Sequence, residues 1–423
     1  MKHIALADFG ASRVKCVVVD LETNTVIDSI DVASPSSTHT TTNNTFEIVP
    51  QKYWHALEQT AGLLISKYSI QDLWICSEMH GFILTQAGQA VTGYISWKDQ
   101  RATSALNVLG QRSQQFANLT GMRLRAGLPI VTASAMSLPN NAKLNTLVDW
   151  LLLCGGEHDP KSHVSLTAGT GFYDINQNSC TNEFLQSELE FCRVTTDIHE
   201  RLGQITLSGN TVNVYGGIGD LQAALYGAGL ATGGAVVNLG TGSQVAVLPA
   251  DKGNELRPFI HGDYAGVITH IPGGRALNVV ANLFDGIASA SGGKPVFWEL
   301  WQQLDVNDIL NSPLHADLNL FDSAWRRSAT SGFIGLQEHC SDPHQVLLGI
   351  AKSWAQQYVD ALNLLDPTHN ITSVMLTGGL ARKSRFLIPL MLKLNSTRKY
   401  ALANNCTGED TLDGLLKMCK ETQ

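Results

Sequence analysis

Two short glycine turns, far apart in the chain, carry the residue types that hold an anion. The first lies in Ile4-Ala-Leu-Ala-Asp8-Phe-Gly10-Ala-Ser12-Arg13-Val-Lys15, which runs on into Cys16-Val-Val-Val19. Gly10 permits close backbone approach, and the turn's N–H groups, the Ser12 hydroxyl, Arg13 and Lys15 can meet a phosphate. Asp8, at the strand end, can hold a hydrated Mg2+ directly or through water. The second turn lies in Gly234–Leu248. At an offset of 230 residues, Asp8 falls on Asn238, Gly10 on Gly240 and Ser12 on Gly242. Thr241 offers a hydroxyl and a backbone N–H, and Gly242 keeps a Cβ out of the way. Each segment is also what a plain tight hairpin with small turn residues looks like, Asp8 then facing solvent.

Two further segments bear on chemistry. Thr377-Gly378-Gly379 follows an apolar strand and precedes a helix, so a flat base or ribose can lie against its backbone; a Gly-Gly connector without a ligand has the same form. Asp220 follows Gly216-Gly-Ile-Gly219 and opens a helix. It is either a first-turn acid facing the helix dipole or a general base that strips a proton from a hydroxyl during phosphoryl transfer.

The elements that must position these residues alternate between strand and helix, which indicates α/β layers. Strands are expected at Ile4–Val19 (a hairpin), Leu73–Ser77, Tyr94–Trp97, Gly234–Leu248 (a second hairpin) and Ser373–Thr377. Helices are expected at Tyr53–Tyr68, Ala142–Cys154, Asp220–Gly229, Val346–Leu364 and Arg385–Leu394, with Pro389 kinking the last or delaying its start. Ser34–Asn44 reads as a polar surface loop. The paired hairpins suggest two similar domains, at 1–213 and 214–423, with the boundary near Asn213–Gly216.

With 423 residues, 44% of them apolar, the chain is long enough for two or three cores. The balance of 29 basic against 37 acidic side chains, a formal −8, disfavours general binding to nucleic acid or an anionic membrane. No apolar run has the length of a membrane span, and Asp8 interrupts the start before a signal-peptide core forms. The eight cysteines are scattered, without Cys-x-x-Cys or paired histidine spacing. A reduced, cytoplasmic protein without structural zinc is the expectation.

Taken in order, D-F-G-A-S-x-x-K, M-H-G, W-K-D-Q-R, G-x-G-D-L-Q-A-A, L-G-T-G-S and T-G-G-L-A-R-K-S resemble the motifs of the FGGY family of carbohydrate kinases, and they span residues 8 to 384. The resemblance implies two actin-like (ribonuclease H-like) domains of duplicated topology around a central cleft, with ATP and Mg2+ as cofactors and a small-molecule sugar as substrate. By position, Asp220 matches the catalytic base and Asp8 the metal-holding residue. Gly10, Ser12, Arg13 and Lys15 lie in the first phosphate motif, Gly240, Thr241 and Gly242 in the second, and Gly378, Gly379 and Ala381 in the adenosine motif. Met79, His80, Trp97, Asp99, Arg101 and Gln222 fall on sugar-contacting segments. Trp97 would pack on a sugar's C–H face while His80 and Asp99 bond its hydroxyls; core packing for Trp97, a satisfied loop role for His80 and a supporting role for Arg101 beside Asp99 stay open.

Departures exist: Ala11 stands before Ser12 where a hydroxyl residue is usual, Leu380 replaces the third glycine of the adenosine loop, and the chain is short for the family. Gly219-Asp220-Leu221-Gln222 and Gly379-Leu-Ala-Arg382 resemble sedoheptulokinases, and Met79-His80-Gly81 is shared with xylulokinases. The implied activity is therefore phosphorylation of a terminal hydroxyl of a ketose, sedoheptulose ahead of xylulose, ribulose or a polyol. A non-catalytic nucleotide- or sugar-binding member of the actin and chaperone superfamily is the rival, and a homodimer is left open.

Overall fold

In a computed structural model, residues 3–37, 44–250, 255–320, 332–335, 342–404 and 406–421 are described; part of the expected Ser34–Asn44 loop, residues 38–43, lies outside them. The chain forms two compact units. The first comprises Met1–Gly227, Glu255–Tyr264 and Asn405–Gln423, and the second Ala228–Asn254 and Ala265–Asn404. The single boundary expected at Asn213–Gly216 thus falls inside a strand of the first unit, hydrogen-bonded to its neighbour.

The first unit is built on β1 (His3–Phe9), β2 (Arg13–Asp20), β3 (Thr25–Ala33), β4 (Asp72–Ser77), β5 (Gly203–Leu207) and β6 (Asn210–Gly219), in the sheet order β5-β6-β4-β1-β2-β3. The pairs β1/β2 and β2/β3 are antiparallel, while β1/β4 and β4/β6 are parallel. Ile4–Ala7 is buried without alternation, as expected of a central strand covered on both faces. One cover is a helix from Gln51 to Tyr68, slightly longer than the expected Tyr53–Tyr68 and carrying a π-helical turn at Glu58–Gly62. Its Leu57, Leu64 and Ile65 join Ala5, Ala7 and Phe9 in one core.

After β6 the chain enters α1 (Asp220–Gly227). The second unit repeats the sheet with β7 (Gly234–Asn238), β8 (Gly242–Leu248), β9 (Tyr264–Pro272), β10 (Ser373–Thr377) and β11 (Lys399–Leu402), in the order β9-β8-β7-β10-β11. Again the first three strands are antiparallel and the last two are reached by parallel crossovers. This matches β3-β2-β1-β4-β6 strand for strand, so the duplicated topology expected from the two hairpins is present.

Helix α2 (Pro343–Leu365) covers this sheet with thirteen buried residues, among them Trp354 and Tyr358; Asp342 caps its start by accepting from the His344 and Gln345 N–H groups. At its far end, Asp366 accepts from the N–H groups of Asn370 and Ile371 and from the fully buried Arg398 guanidinium at 3.0 Å, tying the helix end to β11. The short α3 (Gly379–Lys383) follows β10. The last helix, α4 (Asp410–Glu421), belongs to the first unit and crosses α1 where both are reduced to glycine. A Cβ on Gly414 would lie 2.0 Å from the Ala223 carbonyl oxygen, and one on Gly227 would lie 1.9 Å from that of Asp410.

Three expected elements change. The helix expected over Ala142–Cys154 is confined to Leu147–Cys154, because Thr146 and Asp149 form a capping box and Lys143–Asn145 pairs as a strand instead. The strand at Tyr94–Trp97 keeps only Tyr94–Ile95. The helix expected at Arg385 starts at Leu387, which places Pro389 in the first turn where its missing N–H costs nothing. Among the described residues no helix is long and apolar enough to cross a membrane.

Candidate active site

Asp220 is the first residue of α1, and its Oδ1 accepts from the Leu221 N–H at 2.8 Å. The glycines before it build this position. Gly216 and Gly217 both have positive φ, and the pairing of β6 with β4 slips between Gly216 and Ile218 as at a β-bulge. Pairing resumes at Ile218 and Gly219, and α1 starts at the next residue. Gly219 must lack a Cβ, since one would meet Gln222 Oε1 at 2.5 Å and Met79 Sδ at 2.7 Å. The glycines therefore serve the bulge and the packing under Asp220.

Half-buried, Asp220 has its carboxyl pushed up to about 7, first by burial and then by the negative charges of Asp8 and Glu78. Asp8, near the end of β1, is raised as well. Burial is again the main cause, opposed by hydrogen bonds from the Thr411 hydroxyl at 2.7 Å and the Cys76 thiol at 3.5 Å. Two mutually repelling carboxyls, each short of solvent, are an arrangement for holding or passing a proton or for binding a cation.

Glu78 is the third acid. It is buried, and that burial raises its carboxyl above the ordinary value. It accepts from the Trp97 indole N–H at 3.1 Å and the Tyr53 hydroxyl at 3.3 Å. Trp97 itself is 39% exposed, so its ring is both oriented from below and open above. His80 sits in the left-handed region, φ +64. Its Nδ1 lies 2.6 Å from the Gly169 carbonyl oxygen, which makes Nδ1 the donor, and Nε2 faces Arg125 Nη2 at 3.3 Å. Arg125 is held in turn by Glu255 at 2.9 Å, and Glu255 by the buried Arg257 at 2.7 Å. Burial pushes the Glu255 carboxyl up, but the two guanidinium groups outweigh it and hold it below its ordinary value. Burial pulls Arg257 down to about 10, and its Nε and Nη1 have no hydrogen-bond partner among the described residues.

Three residues expected to touch a sugar are sealed inside instead. Asp99 is 1% exposed, and its oxygens are taken by the Phe46 N–H at 2.7 Å, the Arg101 N–H at 3.0 Å and a bidentate Arg101 guanidinium that also reaches Glu47 at 2.8 Å. Asp99 and Arg101 thus fold the loop that presents Trp97. Gln222 is fully buried and donates to the Pro258 carbonyl at 3.1 Å; two places after Asp220 on a helix, it cannot share that residue's face. Met79 is 6% exposed and packs into the core beneath Gly219.

The first glycine hairpin is exposed at Ala11, Ser12 and Arg13, and its Gly10 carbonyl accepts from the Ser34 hydroxyl at 2.6 Å. Lys15 pairs with Glu409 at 3.2 Å, and Arg13 also bonds Glu409. Glu409 and Thr411, at the start of α4, thereby close on the residues that flank the turn. Neither carries a sequence signal, since they lie about 400 positions from Asp8. Glu78, by contrast, directly precedes Met79-His80.

In the second unit, the matching turn leaves Thr241 and Gly242 exposed. It is latched to the helix Gly274–Ala290, whose Gly274 and Arg275 N–H groups donate to the Gly240 and Thr241 carbonyls, both at 2.9 Å. Gly378 has φ +89, and a Cβ there would lie 2.6 Å from the Leu239 carbonyl oxygen, so the loop needs glycine. A Cβ on Gly379 would meet nothing within 4 Å, which leaves its face open. Ala381, expected at the nucleotide, is buried in the core of this unit together with Leu380. The departure at Leu380 is therefore absorbed by packing.

No sequence-family model and no curated protein matches the chain. Solved structures do. A ligand-bound xylulose kinase from Lactobacillus acidophilus superimposes with a TM-score of 0.83 at 17% identity, over 100% of this chain and 89% of that one. A gluconate kinase from the same organism gives the same values. Glycerol kinase from Plasmodium falciparum with ADP reaches 0.78 at 15% identity, over 99% of this chain and 89% of that one. At such identities likeness speaks for architecture alone, and on that ground this chain has the fold of the carbohydrate kinases, two actin-like, ribonuclease H-like α/β domains.

Proposed function

We propose that the protein is an ATP-dependent kinase that phosphorylates a hydroxyl group of a sugar or polyol, with Asp220 as the base. The observation that carries this is the Asp220 carboxyl, raised to about 7 beside Asp8 and reached by the glycine bulge. A base with that affinity takes a proton from an alcohol as its oxygen attacks phosphorus and still releases it near neutral pH. Trp97, held by Glu78, supplies an apolar plate for the C–H face of a sugar. His80 and Arg125 supply polar edges for its hydroxyls. The first unit gives the turn at Gly10–Ser12 with Arg13 and Lys15 to the phosphates. The second unit, taken by itself, has the backbone N–H groups of Gly240–Gly242 and the open face of Gly379, which suit an anion and a flat base.

The donor set also suits Mg2+. Asp8 presents a hard carboxylate oxygen whose charge Asp220 and Glu409 repel, and a divalent cation would relieve that repulsion while neutralising charge on the transferred phosphate.

The sugar class we favour is a ketose phosphorylated at its terminal hydroxyl. Leu221, directly after the base, is the feature that puts sedoheptulose first; Met79-His80-Gly81 and the xylulose kinases among the structural neighbours favour xylulose as the second choice. The test is ADP release with Mg2+ and ATP across three- to seven-carbon ketoses, aldonates and polyols. Saturable, sugar-dependent turnover that Asp220→Asn lowers by about 10²–10⁴-fold supports the proposal. Binding of nucleotide and sugar without turnover would replace it with the non-catalytic alternative.

A further inference from the structure

Away from Asp220, three side chains of the first unit converge from remote parts of the sequence. They are His199, His261 in the turn Ile260–Gly262, and Glu421 in the last turn of α4. One ligand-capable atom of each lies within 4.8 Å of the other two. His261 Nε2 and Glu421 Oε2 are 3.3 Å apart, and the rings of His199 and His261 lie with centroids 6.3 Å apart. Two ligands bound to one tetrahedral ion at about 2.0–2.1 Å are themselves separated by about 3.3 Å. The other oxygen of Glu421 accepts a hydrogen bond from the Tyr226 hydroxyl, which fixes the direction of the carboxylate.

A surface His–Glu pair alone would be unremarked, since exposed ion pairs contribute little. Here a second imidazole faces the same point, and a hydroxyl orients the carboxylate in the way that outer partners orient metal ligands. We propose that His199, His261 and Glu421 bind a divalent transition cation of the Zn2+, Co2+ or Ni2+ class, leaving a fourth position for water. Two imidazoles with one carboxylate suit these ions, whereas Mg2+ and Ca2+ prefer all-oxygen sets such as that at Asp8. His261 and Glu421 are 56% and 40% exposed, so an ion can reach them.

Occupancy has a structural consequence. The ion fastens the last turn of α4 to the Glu255–Tyr264 segment and to His199. The first turn of the same helix carries Thr411, which bonds Asp8. Motif spacing hides the site, because its ligands come from three chain segments that only folding unites.

The test uses the full chain, stripped with a chelator and kept reduced without Mg2+, and titrated with Co2+ and Zn2+. One equivalent should bind saturably. Co2+ should develop visible d–d absorption without a thiolate charge-transfer band, and Zn2+ should raise Tm. His261→Ala and the isosteric Glu421→Gln should each weaken binding about tenfold or more. Absence of saturable binding would overturn the proposal. So would unchanged affinity in both variants, or a thiolate band that assigns the ion to a cysteine.

Discussion

Replacing Asp220 with Asn tests whether the burial and repulsion at this position are real, independently of any substrate. The carboxyl rises from 3.8 to about 7, for reasons of burial and of the Asp8 and Glu78 charges. A folded-state affinity above the unfolded one means that the native protein holds a proton the unfolded chain releases. That contribution is fully present below pH 3.8, declines as pH rises, and is lost above about 7. At pH 8 the ionised Asp220 therefore costs about 4 kcal/mol at most, and about 2–4 kcal/mol after allowing for its partial contact with solvent. Asn keeps the acceptor for the Leu221 N–H and removes the charge. The variant should melt roughly 5–10 °C above the parent at pH 8. The gap should shrink steadily toward pH 5, while sugar-dependent turnover falls by about 10²–10⁴-fold. Calorimetric scans at pH 5, 6, 7 and 8 decide it. A variant that melts at or below the parent at pH 8, or a gap that ignores pH, refutes the account of Asp220.

Three further outcomes follow from the geometry. Because the base must be ionised, kcat/KM should climb about tenfold per pH unit up to about 7 and level off above it, as read from initial rates with saturating Mg2+. A pH-independent rate across that range would remove Asp220 from the role. Gly378→Ala forces a Cβ to within 2.6 Å of the Leu239 oxygen at φ +89, so ATP-analogue affinity should drop about tenfold or more, by calorimetric titration, while sugar-induced thermal stabilisation persists. Arg398→Leu leaves Asp366 buried without its cation and should destabilise the second unit by about 3–5 kcal/mol, seen as an early melting transition; a shift within error would show the ion pair to be dispensable.

Legibility in the sequence followed the range of the forces involved. Both hairpins could be read because an uninterrupted apolar run such as Ile4–Ala7 marks a strand buried on two faces, and small residues mark its turn. Helix α2 was legible within three residues for a similar reason: its apolar spacing is a local signal. Asp220 was readable as a helix-opening acid behind glycines, but its displaced proton affinity was not, since that arises from burial in the folded unit and then from Asp8 and Glu78, remote in the sequence. Side-chain destinations were likewise decided by packing. Asp99 went to Arg101, Gln222 to the Pro258 carbonyl, and Met79 and Ala381 into cores, although their types and positions suited ligands equally well.

The chain's own order of residues determined the two hairpins, the strands near Leu73–Ser77 and Ser373–Thr377 and which acid opens α1, because these depend on neighbours a few positions away. Only tertiary structure decided that the C-terminal helix returns to the first unit to set Thr411 on Asp8 and Glu409 on Lys15. Contacts between residues hundreds of positions apart depend on the shape of the surfaces that meet, and no local pattern encodes that shape.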